Sequence, residues 1–234
     1  MGIVALVFAA AMGHSAPLPA LWLDPRGQFL VEGKVAASRL SDGARMVRTP
    51  LGLGLDLSGT GRAGMFAEDA PALRLTGSLT VSTWVYVRRY ASNNWQSEVL
   101  FRGDDRPGYD PFHLMLEAQG TIAFGIDDRD GFRTQVRNEI PLNTWVHITG
   151  VYDQGAREIR LWVNERMVAT SATQRVPLAE LDARYLPGIG IGNVESDQGA
   201  NNQPMDGMVA DLRVYGAALD PQEAGYRPVF RNAG

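Results

Sequence analysis

The sequence predicts an all-β fold, a sandwich or barrel of short antiparallel strands, on three observations. Short apolar segments recur about every ten residues between turn signals, a spacing that suits sheets rather than alternating strands and helices. The clearest of these segments alternate with a period of two. Only one stretch carries a helix-start signal.

Taken in order, the chain opens on an apolar, Ala-rich run, Ile3 to Met12, followed by Gly13, His14, Ser15, Ala16 and Pro17. A run this short cannot span a bilayer, and small residues after it suit a peptidase site, so residues 1–16 are expected to be a signal-peptide remnant of an exported protein. The basic residues that usually precede such a run are missing. Residues 17–226 are expected to form one sandwich, because such folds run to about 200–250 residues as single domains, and residues 227–234 a tail.

Within that span, Leu79, Val81, Val85 and Val87 fall on one face of a strand, with Trp84 and Tyr86 on the other. The stretch Trp145 to Tyr152 behaves alike. Ile159, Leu161 and Val163 alternate with Arg160, Trp162 and Asn164, giving a strand with one wet face. Gly120 supplies a left-handed position between the segments His113 to Glu117 and Thr121 to Ile126, which predicts a local hairpin. Asn164-Glu165 is placed as a two-residue turn in which only Asn tolerates positive φ easily, so strain at Glu165 or a longer loop is expected. The helix signal is Asp220-Pro221-Gln222-Glu223, with an Asp cap, Pro at the first position and Glu three residues after the cap. One short turn is expected there.

Composition narrows the partners. The chain has 234 residues, 45% hydrophobic and 21% charged, with a net charge of −4 and no cysteine. It therefore lacks a basic field for nucleic acid or an anionic lipid surface. Disulfides, thiolate zinc sites and a cysteine nucleophile are excluded.

Several blocks together resemble a known family. They are Leu79 to Val87, Glu98 to Asp104, Asn143 to Asp153 and Ile159 to Glu165, closed by Met205 to Asp220. In this order and spacing they are similar to the blocks of laminin-G-like, concanavalin A-like lectin/glucanase jelly-roll domains, over roughly Leu21 to Glu223. The departures are Glu165, where the family usually has Gly, and Val146, where it usually has a second His. The resemblance implies a two-sheet antiparallel jelly roll. It also implies a structural calcium ion near the rim, which would fall to Asp24 and Asp211; the same two residues also read as a turn opener beside Pro25 and Gly27 and as an arginine partner.

Fold alone does not assign function. A sandwich glycosidase or lyase needs two carboxyls across a cleft, about 5–9.5 Å apart, usually at alternate positions on one strand. No such strand stands out, and Asp127, Asp128 and Asp130 read as a solvated hairpin turn ending in Gly131. The three histidines, His14, His113 and His147, have no metal-ligand spacing. His147, beside Trp145, reads as a packing or hydrogen-bonding residue, and His113 has no partner at a recognisable spacing. The sequence thus reads as a binding module rather than an enzyme, secreted, periplasmic or at the cell surface.

Its expected ligand is a glycan or a cell-surface protein, without membrane insertion. The alternative is a structural or adhesion spacer with no small ligand. Sugars stack on rings and hydrogen-bond to amides and carboxylates, which selects two loops expected to share one rim. One carries Asn93, Asn94 and Trp95, the other Asp104, Asp105 and Tyr109. A further oxygen-rich stretch runs from Asn193 to Asp206. Arg102-Gly103-Asp104 equals a cell-adhesion tripeptide, but three residues held by the preceding strand read as chance.

Overall fold

In the computed structural model, residues 17–91, 96–104, 106, 108–194 and 202–228 are described. The expected signal segment therefore lies outside the described residues, as do Asn93, Asn94, Trp95 and Asp105.

Seventeen strands follow one another. The first seven are β1 (Leu21–Leu23), β2 (Phe29–Val31), β3 (Lys34–Val35), β4 (Arg39–Leu40), β5 (Ala44–Thr49), β6 (Gly52–Ser58) and β7 (Met65–Glu68). The next five are β8 (Leu79–Arg89), β9 (Ser97–Gly103), β10 (Phe112–Leu116), β11 (Thr121–Asp127) and β12 (Arg133–Glu139). The last five are β13 (Trp145–Asp153), β14 (Glu158–Val163), β15 (Arg166–Ala172), β16 (Gly188–Ile191) and β17 (Asp206–Tyr215). The larger sheet has the order β15-β14-β13-β8-β17-β1-β2-β3, with β6 also on β17 and β5 on β6. The smaller has the order β12-β11-β10-β9-β16-β7-β4. All pairings are antiparallel. The long jumps from β8 to β17 and from β9 to β16 make the fold a jelly-roll sandwich.

Alternation puts the core where the sequence expects it. Leu79, Val81, Val85 and Val87 of β8 meet Leu114, Leu116, Phe124 and Ile126 of the smaller sheet in one cluster. The sheets approach closely at Gly150 on β13, where a Cβ would overlap the Phe124 ring. Trp84 points the other way, yet it is 4% exposed. Tyr226 stacks on it with ring centroids 5.7 Å apart, and the edge of His147 completes the group. His147 is buried, its Nε2 3.0 Å from the Ser82 hydroxyl.

Local signals are realised with small differences. Asn164-Glu165 forms a two-residue turn between Val163 and its partner Arg166, and only Asn164 takes positive φ, at 57°. The strain expected at Glu165 does not arise. Asn164 is held by two hydrogen bonds to the backbone of His147. At the C-terminal end the Glu223 N–H donates to the Asp220 carboxylate and the Asp220 N–H to Glu223, a capping box closing a single turn.

Candidate functional site

Two polar features stand at opposite ends of β9. This corrects the expectation that the two selected loops share a rim. The first loop enters β9 at Ser97 and the second leaves it at Gly103, so the seven-residue strand separates them by about 20 Å.

At the Ser97 end a cleft of about 320 Å3 opens between the two sheets. It is lined by Thr60, Arg89, Tyr90, Gln96, Asn202 and Gln203, with Asp206 at its base. Each wall has a local cause. Gly59, at φ 68°, brings the turn after β6 against Asp206, where a Cβ would collide. The buried Asn193 side chain accepts the N–H groups of Val194 and Gln203, tying together the stems that flank residues 195–201. Gln203 in turn accepts the Glu98 N–H. The Tyr90 hydroxyl donates to the Ile140 carbonyl, fixing its ring.

Below the cleft, Arg88 bridges Asp206 and Asp56 at 2.7 Å each, and Arg89 reaches the other oxygen of Asp206 at 2.6 Å. Burial opposes ionisation of Asp56, but hydrogen bonds from Arg88 and Arg45 outweigh it and hold the carboxyl below its ordinary range.

At the Gly103 end, Asp104 is not free for a ligand. Its carboxylate takes the backbone N–H and the guanidinium of Arg106, which lies 4.0 Å from the Tyr109 ring centroid and 4.8 Å from that of Tyr185. Arg102 is fully buried, donating to both oxygens of Asp69 at 2.7 and 3.0 Å and to the Ala179 carbonyl. Arg102 and Gly103 lie within β9 rather than in a turn, so the adhesion tripeptide is not presented.

The residues implied for calcium are engaged likewise. Asp24 accepts the N–H groups of Arg26 and Gln28 on one oxygen and the Arg26 guanidinium on the other. Asp211, at φ 48° in a bulge of β17, accepts the Trp22 indole N–H and the Arg213 guanidinium. Nitrogen donors occupy every oxygen of the pair. A calcium ion needs six to eight oxygen ligands, and these two carboxylates do not fit that requirement.

The outer face of the smaller sheet holds groups that the sequence reading missed. Asp127 is not a solvated turn residue: it ends β11, is 0% exposed, and receives Arg133 through two nitrogens at 2.7 and 2.9 Å. Asp128 does cap the turn, accepting the N–H groups of Asp130 and Phe132. Asp110 accepts the same Arg133 at 2.9 Å, and its own N–H meets Asp127. Burial, reinforced by the Asp127 charge, pushes the Asp110 carboxyl up to about 7. Burial also drives Glu98 well above its usual range, with Asp110 adding to the effect. Period-two alternation contained the signal, since His113 between Phe112 and Leu114 must face away from the core.

A two-sheet antiparallel jelly roll places the chain among the concanavalin A-like β-sandwiches. Within that group, the chain belongs to the concanavalin A-like lectin/glucanases superfamily, whose pattern matches residues 59–225. No curated protein sequence matches the chain. Among solved structures, the binding domain of Paraclostridial Mosquitocidal Protein 1 aligns with 88% of this chain and 50% of its own, at TM-score 0.64 and 15% identity. The Botulinum Neurotoxin serotype G binding domain aligns with 88% and 49%, at TM-score 0.68 and 12% identity. The binding domain of Botulinum Neurotoxin DC in complex with SialylT aligns with 90% and 50%, at TM-score 0.67 and 11% identity. The chain spans about half the length of each, and at these identities the likeness is one of fold. Among the described residues no helix is long and apolar enough to cross a membrane.

Proposed function

We propose that this chain is a non-catalytic, extracytoplasmic module that binds carbohydrate in the cleft beside Tyr90. The observation that carries the reading is the lining of that cleft: one fixed aromatic ring surrounded by the amides of Gln96, Asn202 and Gln203, the Arg89 guanidinium and the Thr60 hydroxyl. Sugars need this combination of an apolar platform and convergent hydrogen-bonding groups. The ion pairs below hold Arg89 and Asp206 in place before a ligand arrives, which lowers the ordering cost of binding. Two further supports are the family, which is named for lectins and glucanases alike, and the three similar solved structures, which are binding domains, one of them in complex with SialylT. The apolar run before Pro17 supports export.

The experiment is calorimetric titration of the chain with soluble oligosaccharides, sialylated ones included. Saturable one-site binding is expected, weakened about tenfold or more by Gln96→Ala and by Asn202→Ala. Full-strength binding by both variants would reject the cleft. No saturable binding to any glycan would instead favour a spacer role.

A further inference from the structure

Outside that cleft, Asp110, His113 and Asp127 converge on the outer face of the smaller sheet. One donor atom from each lies within 4.8 Å of the others. The backbone makes room for them. His113 pairs across the strands with Gly125, where a Cβ would overlap the imidazole, and a Cβ at Gly103 would crowd an oxygen of Asp110.

His113 is the informative member. It is 1% exposed, and neither ring nitrogen makes a well-formed hydrogen bond, the Asp110 backbone lying beside the ring without closing one. A neutral imidazole always carries one N–H and one lone pair, so a buried ring with both nitrogens unpaired is costly unless a further group meets it. Burial first, then the Arg133 charge, brings His113 down to about 3. The Asp110 backbone and the Asp127 charge oppose this shift without reversing it.

The surroundings point the same way. Glu98, Asp110 and Asp127 crowd a single guanidinium, Arg133, and one Glu98 oxygen is also buried without a partner. A divalent cation would bridge carboxyl groups that now share that one guanidinium. Arg133 binds Asp110 through Oδ2 and Asp127 through both oxygens, so an ion would share Asp127 with the guanidinium and meet Asp110 at Oδ1. Arg133 and Asp110 keep 28% and 18% of their side-chain surface exposed, which gives an ion a way in.

We propose that Asp110, His113 and Asp127 form a binding site for a divalent transition-metal cation of the Zn2+ type. One imidazole nitrogen with two carboxylate oxygens suits a borderline ion, whereas Ca2+ prefers an all-oxygen shell. Donors around one tetrahedral Zn2+ stand about 3.4 Å apart, so binding would draw the trio in from its spread of up to 4.8 Å.

The test titrates ZnCl2 into the full chain in a non-chelating buffer, with Co2+ absorption as a second readout and CaCl2 as the control. The expected result is one site per chain, no competition from Ca2+, and affinity at least tenfold weaker in both His113→Gln and Asp110→Asn. If His113→Gln does not fold, Asp110→Asn, at the partly exposed edge, decides. Absence of saturable Zn2+ binding, or binding unchanged in a folded variant, would overturn the assignment.

Discussion

Removing the Asp69 carboxylate tests how the smaller sheet is anchored at the Gly103 end. Arg102 has no exposed side-chain surface and Asp69 has 11%, and the two share hydrogen bonds of 2.7 and 3.0 Å. In Asp69→Ala the guanidinium would keep the Ala179 carbonyl and the face of the Phe112 ring, whose centroid is 5.9 Å away, while its third nitrogen already lacks a partner. Breaking a buried pair by removing one partner costs about 3–5 kcal/mol. At roughly 2–4 °C per kcal/mol for a chain of this size, the midpoint should fall by about 6–20 °C. Thermal unfolding followed by circular dichroism measures this directly. The double variant Arg102→Met with Asp69→Ala should recover most of the loss, because no charge then stays buried. A fall below about 2 °C in Asp69→Ala, or a double variant as unstable as that single one, would refute the claim that the pair is energetically closed.

Two other perturbations follow from the same geometry. Asp56 is held below its ordinary pKa, so its contribution is present above the unfolded value near 3.9 and is lost as pH falls through the lower folded value. Asp56→Asn should therefore be less stable than the parent at pH 7, and the gap between their thermal midpoints should narrow towards pH 2–3; a constant gap would remove Arg88 and Arg45 as the cause. Tyr226→Ala should cost about 1–3 kcal/mol by stripping the stacked ring from Trp84 and His147, and an unchanged unfolding midpoint would mean that the C-terminal segment is not part of the folded unit.

The strands were legible because each carries its own evidence. Leu79 to Val87 alternates so cleanly that β8, its core face and its Trp84 face could be assigned without a partner strand. The Asp220 to Glu223 capping box was legible for the same local reason. Asp127 was not, because a run of Asp before Gly looks alike whether its first member ends a buried strand or begins a wet turn; what decides is Arg133 across the hairpin. Glu98 was hidden in the same way, as an acid beside the apolar run Val99 to Phe101. The misplaced rim was a different error, and the sequence held the means to avoid it. Loops that flank one strand leave from its two ends, so residues 90–96 and 104–111 had to lie apart once β9 was recognised.

Both ends of the sandwich use the same device, and this explains how a variable site can sit on so regular a scaffold. At one end Arg88 ties β8 to Asp206 of β17 and to Asp56 of β6. At the other, Arg102 ties β9 to Asp69, and Arg133 ties β12 to Asp127 and to Asp110 before β10. Each link joins a strand end to another strand or to a loop stem through at least partly buried groups, and each is specified by side chains that no ligand needs to touch. The stems are thereby fixed independently of the loop tips. If the cleft binds as proposed, substitutions at Gln96 or Asn202 should alter binding while the sheets keep their register, whereas substitutions at Asp56, Asp69 or Arg88 should cost stability first and binding only as a consequence.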